Sequence, residues 1–136
     1  MSILDGFTAF DFNEGAPYVS ITKNGVTFNK GVIYKLQKPA YVVLMINNKT
    51  KQIAIKVCDE NTPKAFAFYS GDKKSNLLSV RWNLRDLLNT ISEMMGWDLQ
   101  SESYKILGTL YSDEAVMLFD LEKAEIIKWV STVFYC

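Results

Sequence analysis

The residues best placed to do chemistry are lysines in a stretch with nothing to oppose them. Lys23, Lys30, Lys35, Lys38, Lys49, Lys51 and Lys56 fall between positions 20 and 57, with no Asp or Glu among them. Such a stretch suits phosphate neutralisation, which releases counterions and supplies most nucleic-acid affinity. Residues 1–19 hold Asp5, Asp11 and Glu14 and no base, and residues 58–136 hold twelve acids against eight bases. The local balances of −3, +7 and −4 cancel to a net charge of zero. This asymmetry points to an anionic partner, or to the basic half of one chain docking on the acidic half of another. Lysines also guard solvated sheet edges against aggregation, so the run alone does not choose between these readings.

Other chemistries find little support. The chain has no histidine, which removes the commonest general base and the commonest zinc ligand. Cys58 and Cys136 are its only cysteines, too few for a thiolate zinc site or a disulfide framework. Asp59-Glu60 would point apart on a strand, and Asp113-Glu114 falls in a turn. Cys58 beside two acids is the reverse of an activated thiolate. No phosphate-binding glycine loop or nucleophile elbow is present. The reading is therefore a non-enzyme without cofactor or metal.

At 136 residues, 49% hydrophobic and 22% charged, the chain reads as one soluble globular domain. Met1 to Asp5 lacks a basic region and a signal-length apolar run, and no window resembles a membrane span. With reduced thiols, this implies a cytoplasmic protein.

The elements that must position the lysines appear twice. Val26-Thr27-Phe28-Asn29 and Val80-Arg81-Trp82-Asn83 are short extended runs, each closed by an Asn suited to cap a helix. Phe7, Phe10 and Phe12 suggest that the lead-in packs on the body. Tyr18 to Thr22 alternates as a strand, and Asn24-Gly25 is a tight hairpin turn. Asn29 opens a helix over Lys30 to Leu36, ended by Pro39. Tyr41 to Ile46 and Gln52 to Val57 form a hairpin. The polar run 70–76 reads as a linker. Beyond it, Asn83 caps a helix with Leu84, Leu87, Leu88, Ile91 and Met95 on one face, stopped by Gly96. Tyr104 to Tyr111 and Ala115 to Asp120 give a second hairpin, and Asp120 would cap a last helix from Leu121. Val130 to Phe134 suits either helix or strand. Trp82, Trp97 and Trp129 read as core.

The segment Ile21-Thr22-Lys23-Asn24-Gly25-Val26-Thr27-Phe28-Asn29-Lys30-Gly31-Val32-Ile33-Tyr34-Lys35-Leu36 resembles the swapped-hairpin family of AbrB-, MazE- and SpoVT-like DNA-binding domains. That family has a strand, a Gly, a V-T-I-P-K step, a short helix ending in Leu and an apolar hairpin. Thr22-Lys23, Gly25, Val26-Thr27, Lys30 and Leu36 match in position. Phe28 stands for Ile, Asn29 stands for Pro, and Pro39-Ala40-Tyr41 replaces a Gly. The resemblance implies DNA contacts at Lys23, Asn24, Thr27, Lys30 and Lys35.

The expected fold is α+β: two βαββ-like repeats packed as a pseudo-two-fold, barrel-like single domain. Residues 18–58 would form the first unit, 70–76 a linker, 77–120 the second unit and 121–136 a C-terminal extension. The expected function is a DNA-binding transcriptional regulator or antitoxin-like protein acting on double-stranded DNA. The alternative is a non-enzymatic protein–protein interaction or homo-oligomeric self-assembly module.

Overall fold

Short runs with alternating apolar side chains bury one face each, and sheets are the economical way to pool those faces. The computed structural model of the protein describes residues 3–8, 15–70 and 79–127. Its strands are β1 (Tyr18–Thr22), β2 (Gly25–Phe28), β3 (Tyr41–Asn47), β4 (Gln52–Cys58), β5 (Phe66–Ala67), β6 (Val80–Trp82), β7 (Ser103–Tyr111), β8 (Val116–Asp120) and β9 (Glu125–Ile127). Helix α1 (Lys30–Lys35) follows β2, and α2 (Arg85–Met95) follows β6. The strands form one antiparallel sheet in the order β5-β3-β4-β8-β7-β1-β2-β6, with β9 added beside β7.

This architecture overturns the expected α+β fold of two βαββ-like units. The fold is predominantly β, and the two α-helices among the described residues are short. The two V-x-aromatic-N stretches do not head separate units. They are hydrogen-bonded neighbours: β2 pairs with β6 through Val26 opposite Trp82, Thr27 opposite Arg81 and Phe28 opposite Val80. Strand β1, expected to serve only the first unit, bridges β2 to β7. Backbone pairing between distant segments thus outweighs local helical periodicity. The linker beyond Ser70, Leu77, Phe10, Phe12, Trp129, Cys136 and the 130–134 segment lie outside the described residues.

Inward-facing Val19, Ile21, Val26, Phe28, Ile53, Ile55, Ile106 and Phe119 are wholly buried or nearly so, and α1 and α2 add Val32, Ile33 and Ile91. Each such side chain contributes about 1.5–3 kcal/mol by leaving water. Phe28 is the hub of an aromatic cluster, with ring centroids 5.0 Å from Trp82, 5.4 Å from Phe68 and 5.8 Å from Phe119. Trp82 also meets Phe66 edge-on at 4.8 Å, and its indole N–H donates to the Ala67 carbonyl at 3.3 Å. The sheet therefore curls until its edge strands β5 and β6 touch. Among the described residues no ladder joins them.

Caps separate the two helices. Asn29 Oδ1 accepts from the Val32 amide at 3.2 Å, the expected N-cap bond, and from the Tyr18 amide at 2.9 Å. Asn29 Nδ2 donates to the Ala16 carbonyl at 2.9 Å, tying the lead-in to the helix start. Asn83 does not cap α2. Leu84 takes the N-cap position without a side-chain bond, because its extended backbone delays the helix by one residue. Gly96 closes α2 in the left-handed region at φ 69°, as its type allows. Asp120 caps only a 3-10 turn, Leu121–Lys123, after which the chain extends as β9 against β7. The helix expected from Leu121 is thus replaced by a turn and a strand over the described residues.

No helix among the described residues is long and apolar enough to cross a membrane.

Candidate nucleic-acid interface

The β1–β2 hairpin turn is built by local chemistry. Thr22 Oγ1 accepts from the Asn24 amide at 3.0 Å, and Gly25 follows with φ 149°. A Cβ on Gly25 would lie 2.7 Å from the Trp82 carbonyl oxygen, so glycine lets β2 approach β6. Lys23 and Asn24 are left exposed at the tip.

Two clefts flank that tip. One, of about 260 Å³, lies between Lys23, the α2 face bearing Arg85 and Asn89, and the loop bearing Trp97 and Gln100. The other, of about 330 Å³, lies between Lys23, Asn24, Arg81, Gln100 and Ser103. They share Lys23, Leu99 and Gln100, and so form one polar trough with Arg85 toward one end and Arg81 toward the other.

Arg81 Nε donates to Thr27 Oγ1 at 3.2 Å, so the outward face of β2 holds the guanidinium group. The registers extend this pair into a row across the sheet: Arg81, Thr27, Ser20, Lys105. Lys105 Nζ sits 4.4 Å over the Tyr18 ring, a cation–π contact.

The trough's carboxylates are engaged by their own loop. Asp98 accepts from the Gln100 amide and from Ser101 Oγ, at 3.1 and 3.0 Å. Glu102 accepts from the Tyr104 hydroxyl at 3.2 Å. Burial, then the Glu102 charge and hydrogen bond and the Asp98 charge, push the Tyr104 phenol above its ordinary pKa. Trp97 stacks on Tyr104 at 3.8 Å with the rings 8° from parallel, which stiffens this wall. Among the described residues Lys23 and Arg85 form no ion pair or side-chain hydrogen bond.

The expected contact residues divide into two groups. Lys23, Asn24 and Thr27 gather around Arg81. Lys30 and Lys35 do not join them. They open and close α1, which begins at the far end of β2 from the turn. Lys35 lines a separate cleft of about 240 Å³ with Val57 and Leu110. The other lysines are also dispersed: Lys38 lies over the Tyr34 ring, Lys51 reaches Asn48, and Lys56 donates to the Glu114 carbonyl. Sequence reasoning missed Arg81 and Arg85 because they lie outside the lysine run. The signal was present in the likeness of Val80-Arg81-Trp82-Asn83 to Val26-Thr27-Phe28-Asn29, read as a strand pair rather than as two copies.

Neither known protein families, nor curated proteins, nor solved structures yield a match to this chain. Among the described residues no group of His, Cys, Asp and Glu could hold a metal ion.

Proposed function

We propose that the chain is a non-enzymatic DNA-binding regulator that takes the sugar–phosphate backbone along the trough at Lys23. The observation that carries this reading is the β2–β6 pairing, which gathers Arg81 with Lys23 around one cleft and leaves Arg85 across the other. Cations of this kind supply phosphate affinity, and Arg adds bidentate geometry that Lys lacks. Asn24, Asn83 and Gln100 add amides able to hydrogen-bond phosphates or base edges. The resemblance to AbrB-like domains supports the same hairpin turn as the contact point, through Lys23, Asn24 and Thr27. Lys30 and Lys35 have no share in this interface.

Titration of a labelled duplex at several salt concentrations tests the proposal. Three neutralised phosphates predict a log–log slope of about −2.7, or roughly forty-fold weaker binding between about 50 and 200 mM salt. Absence of binding at low salt, or a slope near zero, would overturn it.

The alternative, a self-assembly module, is favoured by a different observation. An apolar cleft opens on the outer face of β3, β4 and β8.

A further inference from the structure

The outer face of the β3–β4–β8 part of the sheet is apolar where a lone sheet would be polar. Met45, Ala54 and Leu118 stand side by side in register across the three strands. They line a cleft of about 500 Å³, within the size range of small-molecule sites, that reaches the end of β3 at Ile46, while the Ile53 side chain beneath it faces the core. Met45 is 41% exposed on that face. The rim carries Lys49 and the amides of Asn47, Asn48 and Gln52, and among the described residues no carboxylate lines the cleft. It shares no lining residue with the trough at Lys23.

The same chain presents a segment of matching chemistry. Ile3 and Phe7 are 92% and 77% exposed, the highest values among the large apolar side chains described. They bracket Asp5, in a stretch of residues 1–19 that contains acids and no base. The stretch is preshaped, since the Phe7 amide donates to the Leu4 carbonyl at 3.0 Å and Gly6 turns with φ 87°. Two exposed apolar side chains around an acid complement an apolar cleft rimmed by a lysine.

We propose that this cleft is the docking site for the Ile3–Phe7 segment of a second copy of the chain. Ile3 and Phe7 enter the apolar floor over Met45, Ala54 and Leu118, and Asp5 faces Lys49. Reciprocal exchange closes the assembly as a two-fold dimer, because each copy carries both segment and cleft. The burial of apolar side chains supplies affinity, and the Asp5–Lys49 pair supplies register. This is independent of DNA binding.

Sedimentation equilibrium of the full chain from about 1 μM to about 1 mM tests it. The wild type is expected to pass from monomer to dimer. Phe7→Ser and Ala54→Glu are each expected to raise the dissociation constant at least about ten-fold, with unchanged far-UV spectra. Equal amounts of the two variants mixed together should recover a heterodimer, because one intact segment then meets one intact cleft. Asp5→Lys should weaken association and Lys49→Glu should restore it in the double variant. A wild type that stays monomeric throughout, a Phe7→Ser protein that associates normally, or a mixture that forms no heterodimer would each overturn the proposal. Lys23→Ala should leave association unchanged, so failure here is separable from failure at the trough.

Discussion

Arg81 Nε donates a 3.2 Å hydrogen bond to Thr27 Oγ1 from the strand position directly opposite it. The middle residues of two similar tetrapeptides, fifty-four positions apart, thus face each other across a ladder. The bond orients a guanidinium on the outer surface, and the glycine turn beside it brings Lys23 into the same cleft. The chemistry of the site follows from a strand pairing rather than from a run of charge.

Substitution of Lys23, Arg81 or Arg85 by Ala should each lower the salt slope of duplex binding by about 0.9, nearly uniformly across sequences. Lys35→Ala, in a cleft that shares no residue with the trough, should leave it unchanged. Fluorescence anisotropy against salt reads both.

Asn29→Ala removes an acceptor serving the Tyr18 and Val32 amides and a donor to Ala16. It should cost about 2–3 kcal/mol in urea unfolding, combining a lost cap with a partly buried amide left unpaired. Asn83→Ala should stay within about 0.5 kcal/mol, since Asn83 is exposed and caps nothing.

Gly25→Ala should destabilise by more than about 2 kcal/mol. Its Cβ would press on the Trp82 backbone oxygen, which cannot swing away like a side-chain tip, and φ 149° is strained for Ala. Because the strain falls on the β2–β6 ladder, duplex affinity should fall with stability. Gly108→Ala meets Met117 Sδ and Phe119 Cε1 at 2.8 Å, and none of these three residues lines the trough. It should lower stability, read by urea titration, and leave affinity unchanged at temperatures where the protein stays folded.

What was legible in the sequence was mostly local. Asn24-Gly25, Gly96 and the Asn29 cap on Val32 act through their own backbone or that of near neighbours, so residue type announced these roles. Asn83 looked equivalent to Asn29, but the extended backbone at Leu84 moved the helix start, and no residue type signals that shift. Leu121-Glu122-Lys123-Ala124-Glu125 reads as a helix, yet the β7 edge captures Glu125–Ile127 as a strand. The fold class was misread for the same reason: which strand pairs with which is a long-range matter. The trough inherits that limit. Lys23 and Asn24 were visible in the basic run, whereas Arg81 enters only through the β2–β6 register and Arg85 through the placement of α2 beside Lys23.

Tyr104 titrates above the ordinary tyrosine range because burial and the nearby carboxylates disfavour its phenolate. A folded-state pKa above the unfolded value favours folding while the phenol keeps its proton. That contribution is complete below about pH 10, the unfolded value, and is lost as pH rises through the folded value. Urea midpoints should therefore fall from about pH 10 upward. Tyr104→Phe should have a shallower alkaline decline than the wild type.

The contact between Trp82 and Ala67 has a mechanical meaning. In a fully laddered barrel, strand number and stagger fix the diameter. Among the described residues the circuit is completed by one indole and its ring neighbours. The girth of the sheet is therefore set by side-chain packing, and the wall can widen or tighten along one line while every strand ladder stays intact.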